Sequence, residues 1–331
     1  MKRQNSRLVF FATGALLALA ATVGDGYAAE KVVLRTDYKF NGYVAPFALA
    51  LEKGFYKDAG IDVSIEQGQG SGTTVQTVAS GADTFGLADA ATAVLGISAQ
   101  QIPVKLLSVY TQSATMGLIY HPDSDFTGDL SGIKGKVVIS SAGAADLRLL
   151  APALASVGLS ENDVEIQLVD TNARVPLFLQ TPGSFLTGFA TGDLLRVRSR
   201  LPDAKYVPYA QYGVVAYGTG LIAGNETIEE KPDLVRAFVS ASRKGWEEAV
   251  KDPEAAVAAS IKLFPDLSAD LMRDGLKIAL EQQLHTPATE GHPIGWTDEG
   301  DWMKMLEVLK TYASLQPQEP STYYTNEFIS E

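Results

Sequence analysis

The sequence predicts an α/β protein of two lobes followed by a helical tail, and three observations predict it. Short β-rich runs alternate with helical patterns from residue 32 to about 198. An apolar, β-like stretch returns at 216–223, after the second set of units. From Lys231 onward the pattern is almost wholly helical. The chain has 331 residues, room for about two domains of ~100–200 residues.

The first 28 residues read as a secretory signal. Lys2, Arg3 and Arg7 precede an uncharged stretch at 8–23, and Gly26-Tyr27-Ala28 places small residues before a cut at Ala29. That stretch is shorter than the ~20 residues of a spanning helix, so cleavage and a free, periplasmic product are expected. With no Cys, attachment through a lipidated cysteine is excluded, as are disulfides, zinc–thiolate sites, iron–sulfur clusters and thiol nucleophiles. A formal net charge of −12 argues against a nucleic-acid partner.

In the mature chain, residues 32–36 read as a strand. A polar and aromatic loop follows at 37–43, then a helix at 45–59 with Phe47, Leu51 and Phe55 four apart. Ile61-Asp62-Val63-Ser64-Ile65 alternates as a half-buried strand does, and a Gly-rich loop at 67–72 leads into a short helix at 73–80. A strand at 84–87, a helix at 89–98 and a strand at 104–109 complete the first set. The second set has strands at 136–140, 164–169 and 185–189 and helices at 144–157, 173–180 and 191–198. Tail helices are expected at 232–250, 253–264, 268–283 and 298–313. Such units build mainly parallel sheets. With the tail packing back on the first lobe, the chain crosses between lobes twice, near 111–121 and 214–222. The expected division is 29–115 for lobe 1, 116–217 for lobe 2 and 218–331 for the return to lobe 1.

In open α/β sheets, ligands sit beyond the carboxyl ends of the strands. The first loop there offers Asp37, Tyr38, Phe40, Asn41 and Tyr43: aromatic faces for a flat ligand, a carboxylate for ring amines and a carboxamide that donates and accepts. Phe40 and Tyr43 could equally cap the core. The second loop offers Gln69, Ser71, Gly72 and Thr73 at a helix start, where backbone N–H groups approach a ligand. Its G-x-G-x-G spacing matches neither the Walker nor the dinucleotide fingerprint. Asp89 could face the cleft or cap the next helix. On the second lobe the candidates are Ser140, Ser141 and Gly143, then Gly188 and Phe189. Arg148 and Arg174 could also reach in, whereas Asp170-Thr171-Asn172 reads chiefly as a cap. His285 and His292 are seven apart in a Pro/Gly-rich stretch, which is no metal motif. There is no G-x-S-x-G elbow. No cofactor is expected.

A family resemblance lies in Thr36-Asp37-Tyr38, Ala48-Leu49-Ala50-Leu51-Glu52-Lys53-Gly54-Phe55-Tyr56, Gly60-Ile61-Asp62-Val63, Gly81-Ala82-Asp83-Thr84-Phe85-Gly86-Leu87 and Ala88-Asp89. Asp129-Leu130, Gly132, Gly135-Lys136-Val137-Val138, Thr187-Gly188-Phe189, Gly192-Asp193, Gly295-Trp296 and Trp302 extend it. The chain resembles the periplasmic solute-binding proteins of nitrate, sulfonate, taurine and thiamine-precursor ABC transporters. The resemblance implies a periplasmic binding protein type II fold, hinged about the two crossovers. It also implies an interlobe ligand, a membrane permease as partner, a monomer and no catalysis. Three aromatics and two carboxylates in the first-lobe loops favour an amine-bearing heteroaromatic such as a thiamine-precursor pyrimidine. Aliphatic sulfonates, taurine, nitrate and aromatic carboxylates come second, since those loops hold no Arg. Two other readings use the same scaffold. One is a pyrimidine synthase, whose fungal forms use a histidine and a cysteine-rich iron motif; this chain has no Cys and no His before His121. The other is a periplasmic sensor that reports its ligand to a membrane receptor.

Overall fold

A computed structural model describes residues 29–214 and 216–329; the expected signal segment lies outside them. The strands are β1 (Glu30–Arg35), β2 (Ile61–Glu66), β3 (Phe85–Asp89), β4 (Val104–Val109), β5 (Met116–Tyr120), β6 (Val137–Ser140), β7 (Glu165–Leu168), β8 (Phe185–Phe189), β9 (Lys205–Pro208) and β10 (Thr219–Gly224). They form two five-stranded sheets, ordered β2-β1-β3-β10-β4 and β7-β6-β8-β5-β9. In each sheet one strand runs against its neighbours. β10 is antiparallel to β3 and β4, and β5 is antiparallel to β8 and β9. These are the first strands laid down after each passage between sheets, over residues 110–115 and 209–218.

Alternation decides β2: Ile61, Val63 and Ile65 are buried while Asp62, Ser64 and Glu66 are exposed. β5, by contrast, is buried at every position, so it carries no period and reads from sequence as part of the crossover. The four residues of β9 end in Pro208 at a sheet edge, where a missing N–H costs no ladder bond. Both strands go unread in the sequence for these reasons. The helix expected over 45–59 is two, Ala45–Glu52 and Phe55–Asp58, broken where Gly54 takes φ +76°.

The tail packs on the first lobe through helix Pro232–Lys251, whose buried face presents Phe238 and Trp246. Phe85 stacks on Phe238 at 4.1 Å, and Tyr110 lies parallel to Trp246 at 5.2 Å. Losing so large a buried ring costs about 3–5 kcal/mol. The rest of the tail also reaches the second lobe. Helix Glu299–Ala313 packs on helix Leu150–Ser156. Helix Ala269–Ile278 is pinned between lobes by glycine contacts: a Cβ on Gly42 would lie 2.0 Å from the Leu276 nitrogen, and one on Gly275 would lie 2.8 Å from the Thr191 carbonyl oxygen. Gln283 then braces the first crossover, its Nε2 donating to the Ser113 carbonyl at 2.7 Å.

Candidate functional site

The carboxyl ends of the two sheets face each other, and their loops enclose a cleft. Asp37, Tyr38, Gln69, Gly70 and Ser71 line it from lobe 1; Ser141, Ala144, Asp146, Thr171, Arg174, Phe189 and Asp193 line it from lobe 2. The free space between them is about 30 Å³, enough for roughly one water. The lobes meet closely there, while wider spaces of about 260 and 470 Å³ lie between them elsewhere.

Asp37 lies two residues past β1 and is buried. Its carboxylate accepts the Tyr43 hydroxyl at 2.7 Å and the Thr219 hydroxyl at 3.2 Å. Desolvation pushes its pKa up to about 6, against the pull of those two donors. The loop is fixed to its own lobe by backbone bonds as well, since Gly70 N–H donates to the Asp37 carbonyl. Ser71 opens helix Ser71–Ala79, and its hydroxyl accepts the Asp89 N–H at 3.0 Å.

The lobe 2 wall is a buried ion cluster. Arg174 reaches Asp146 through Nη1 and Asp193 through Nη2, each at 2.9 Å, and all three side chains are 2–3% exposed. Burial would lower the Arg174 pKa, but the two carboxylates outweigh it and hold the guanidinium above its ordinary range. Its Nε is buried without a protein partner. Arg196 adds a longer contact, 3.4 Å, to Asp193. With Asp37 opposite, three buried carboxylates face one buried guanidinium, so the inner cleft favours hydrogen-bond donors and positive charge over anions.

Tyr38 spans the cleft. Its hydroxyl donates to the Thr171 carbonyl across the gap at 3.2 Å. Its ring centroid lies 5.8 Å from the Arg174 guanidinium and 5.4 Å from that of Arg196.

Of the candidates read from sequence, Asp37, Tyr38, Gln69, Ser71, Ser141 and Phe189 line this cleft. The others serve the walls. Phe40 is buried against Phe264, 4.9 Å between centroids, and Asn41 caps the turn Gly42–Val44 by accepting the Tyr43 N–H; both also line a second space of about 260 Å³ between the lobes, with Thr191 and Arg196 opposite. Tyr43 is a core residue that supports Asp37. Gly72 faces Arg148 on the cleft's flank, and Thr73 is exposed on its helix. Asp89 caps helix Ala90–Gln100 through the Thr92 N–H and hydroxyl, and its other oxygen is buried and unpartnered. Ser140 bonds Thr187 behind the wall at 2.7 Å. Gly143 takes φ +74° in the turn before helix Ala145–Arg148, and Gly188 lies within β8, packed close against Asp193.

Nothing in the sequence singles out Asp146 or joins it to Arg174 and Asp193. One signal was available for them. Arg174 is the first residue of helix Arg174–Gln180, where a cation opposes the helix dipole unless carboxylates face it. The motif residue Asp83 is structural: Arg35 clasps both of its oxygens, at 2.9 and 3.1 Å. The three histidines stand apart from the cleft. His121 is buried with Nε2 2.9 Å from the Phe178 carbonyl oxygen, His285 is exposed, and His292 stacks on Trp296.

Residues 41–256 match the family described as "NMT1/THI5 like". The riboflavin-binding protein RibY of Chloroflexus aurantiacus is 26% identical, over 91% of this chain and 86% of that protein. The formylaminopyrimidine-binding protein of Halalkalibacterium halodurans is 21% identical, over 91% and 92%. The 4-amino-5-hydroxymethyl-2-methylpyrimidine phosphate synthase THI13 of Saccharomyces cerevisiae is 23% identical, over 91% and 88%. Among solved structures, the alkanesulfonate-binding protein SsuA of Xanthomonas axonopodis pv. citri, bound to MOPS, superposes with a TM-score of 0.69 at 12% identity, covering 90% of this chain and all of that one. That likeness is one of fold: two α/β lobes of the periplasmic binding protein type, with a helical tail.

Proposed function

Since the chain belongs to the NMT1/THI5-like family, we propose that it is the substrate-binding component of an ABC importer. On this reading it captures a small amine-bearing heteroaromatic molecule between its lobes and delivers it to a membrane permease. The observation that carries the ligand class is the charge of the inner cleft. Asp37, Asp146 and Asp193 surround Arg174, and that guanidinium is already engaged by two of them. A ring amine finds acceptors there. A sulfonate, nitrate or carboxylate would meet three carboxylates, with only the Nε of Arg174 left among the buried cationic donors. Pyrimidines therefore rank ahead of alkanesulfonates, taurine, nitrate and aromatic acids. The pyrimidine- and riboflavin-binding relatives support that order.

Binding without chemistry is the reading taken. The synthase relative keeps the enzyme alternative in view, but the chain has no cysteine and none of its three histidines lines the cleft. Export to the periplasm accords with the N-terminal signal pattern. Among the described residues no helix is long and apolar enough to cross a membrane.

The deciding experiment is a thermal-shift and calorimetric screen of 4-amino-5-hydroxymethyl-2-methylpyrimidine, riboflavin, an alkanesulfonate, taurine, nitrate and benzoate. Stabilisation by the pyrimidine or the flavin, with little from the anions, is expected. Stabilisation by the sulfonate alone overturns the ligand class.

A further inference from the structure

Tyr38 stands apart from Asp37, Phe40 and Asn41 of its loop. Asp37 bonds Tyr43 and Thr219, Phe40 packs on Phe264, and Asn41 caps a turn, all within lobe 1 and its tail. The side chain of Tyr38 has its partners on lobe 2: the Thr171 carbonyl and the guanidinium groups of Arg174 and Arg196. An aromatic ring beside two cations, with a hydroxyl on a backbone acceptor, is what a small heteroaromatic guest would also provide.

The remaining space in the cleft, about 30 Å³, admits no six-membered ring. A guest needs a side chain to leave. Asp146, Arg174 and Asp193 are held by buried ion pairs, whereas Tyr38 is held by one hydroxyl bond and two cation–ring contacts. Rotation of Tyr38 out of the cleft leaves a ring-sized space with the same partners around it.

We propose that Tyr38 is an internal stand-in for the ligand: it latches the lobes together, and an incoming aromatic ring displaces it. The proposal rests on the reading of the cleft as a site for ring-bearing molecules. It also sharpens the specificity. Contacts that a guest merely inherits from Tyr38 cancel in the net affinity. What tyrosine lacks is an N–H to give to Asp37, Asp146 or Asp193. The displaced ring thus sets a threshold that amine-bearing rings pass and plain phenols do not.

The test uses the mature chain as wild type, Y38A, Y38F and R196Q. It combines small-angle scattering without ligand with calorimetry against 4-amino-5-hydroxymethyl-2-methylpyrimidine. Y38A is expected to enlarge the ligand-free radius of gyration and to bind the pyrimidine about tenfold more tightly, because the competitor is gone. Y38F keeps the ring and stays compact, with affinity within about threefold of wild type. R196Q is expected to enlarge the ligand-free form, because it removes one of the two cations beside the Tyr38 ring. An unchanged scattering curve for Y38A overturns the latch. Loss of pyrimidine affinity in Y38A, with Y38F retaining it, makes Tyr38 a direct contact and overturns the stand-in. If no variant and not the wild type binds the pyrimidine, the ligand class of the preceding section falls, and the scattering alone decides the latch.

Discussion

Arg174 and Asp193 meet at 2.9 Å with both side chains 3% exposed, on the inner wall of a cleft whose other charged groups are the carboxylates of Asp37 and Asp146. Asp146 completes the cluster from the other side at the same distance. Buried ion groups are costly to desolvate and costlier to break. Their position beside the gap between the lobes accords with a role in setting what the gap admits.

Arg174→Met should lower unfolding stability by about 3–5 kcal/mol at pH 7, since it leaves two buried carboxylates facing one another without their cation. A urea titration at pH 7 measures it; a deficit below ~1 kcal/mol contradicts the picture of a coupled cluster.

Asp89→Asn should stabilise the protein above neutrality. The Thr92 bonds use one carboxylate oxygen, which the carboxamide keeps, and the other oxygen is buried and unpartnered. Desolvation raises the Asp89 pKa to about 7, above its value near 4 in the unfolded chain. Between those values the folded state binds the extra proton, so stability rises on acidification from 7 to 4 and the full cost of the charge falls at pH 8. After allowing for an unsatisfied amide, the gain at pH 8 should be about 1–3 kcal/mol, with a flatter profile over pH 4–7. Parallel stability curves for the two proteins would dismiss the buried charge as the cause.

Asp37→Ala should weaken pyrimidine binding about 100-fold, by removing the lobe 1 acceptor for a ring amine. Calorimetry reads it, with Tyr43→Phe as a control that removes a support of Asp37 and keeps the carboxylate. Unchanged affinity in the alanine variant would remove Asp37 from the site.

Gly42→Ala should cost about 1–3 kcal/mol, because its Cβ would fall 2.0 Å from the backbone of the tail helix at Leu276. The loss should appear as faster proteolysis within 269–283, before global unfolding. Uniform cleavage at the wild-type rate would show that the helix shifts without strain.

How far the sequence reaches depends on whether the signal is periodic, local or spatial. β2 is legible to within one residue because its two faces differ, whereas β5, buried on both, carries no alternation at all. For the site, strand ends identify the right loops but not which side chains turn inward. Asp37 and Ser141 line the inner cleft, while Phe40 turns to Phe264 and a neighbouring space and Ser140 bonds Thr187 behind the wall. The Asp146–Arg174–Asp193 cluster joins residues 19 and 28 positions apart on three separate helical segments, and no short motif encodes it.

The place of β10 between β3 and β4 constrains the order in which the chain can fold. Residues 219–224 are made after the whole of 116–208, so the first sheet stays split while the later-synthesised one already has all five of its strands. The half of the molecule that begins second can therefore mature first, and the earlier half waits for a strand from the far side of it. Pulse-labelled hydrogen exchange during refolding should find amides of 137–140 and 185–189 protected ahead of those of 85–89; the reverse order would mean that the split sheet assembles without its central strand.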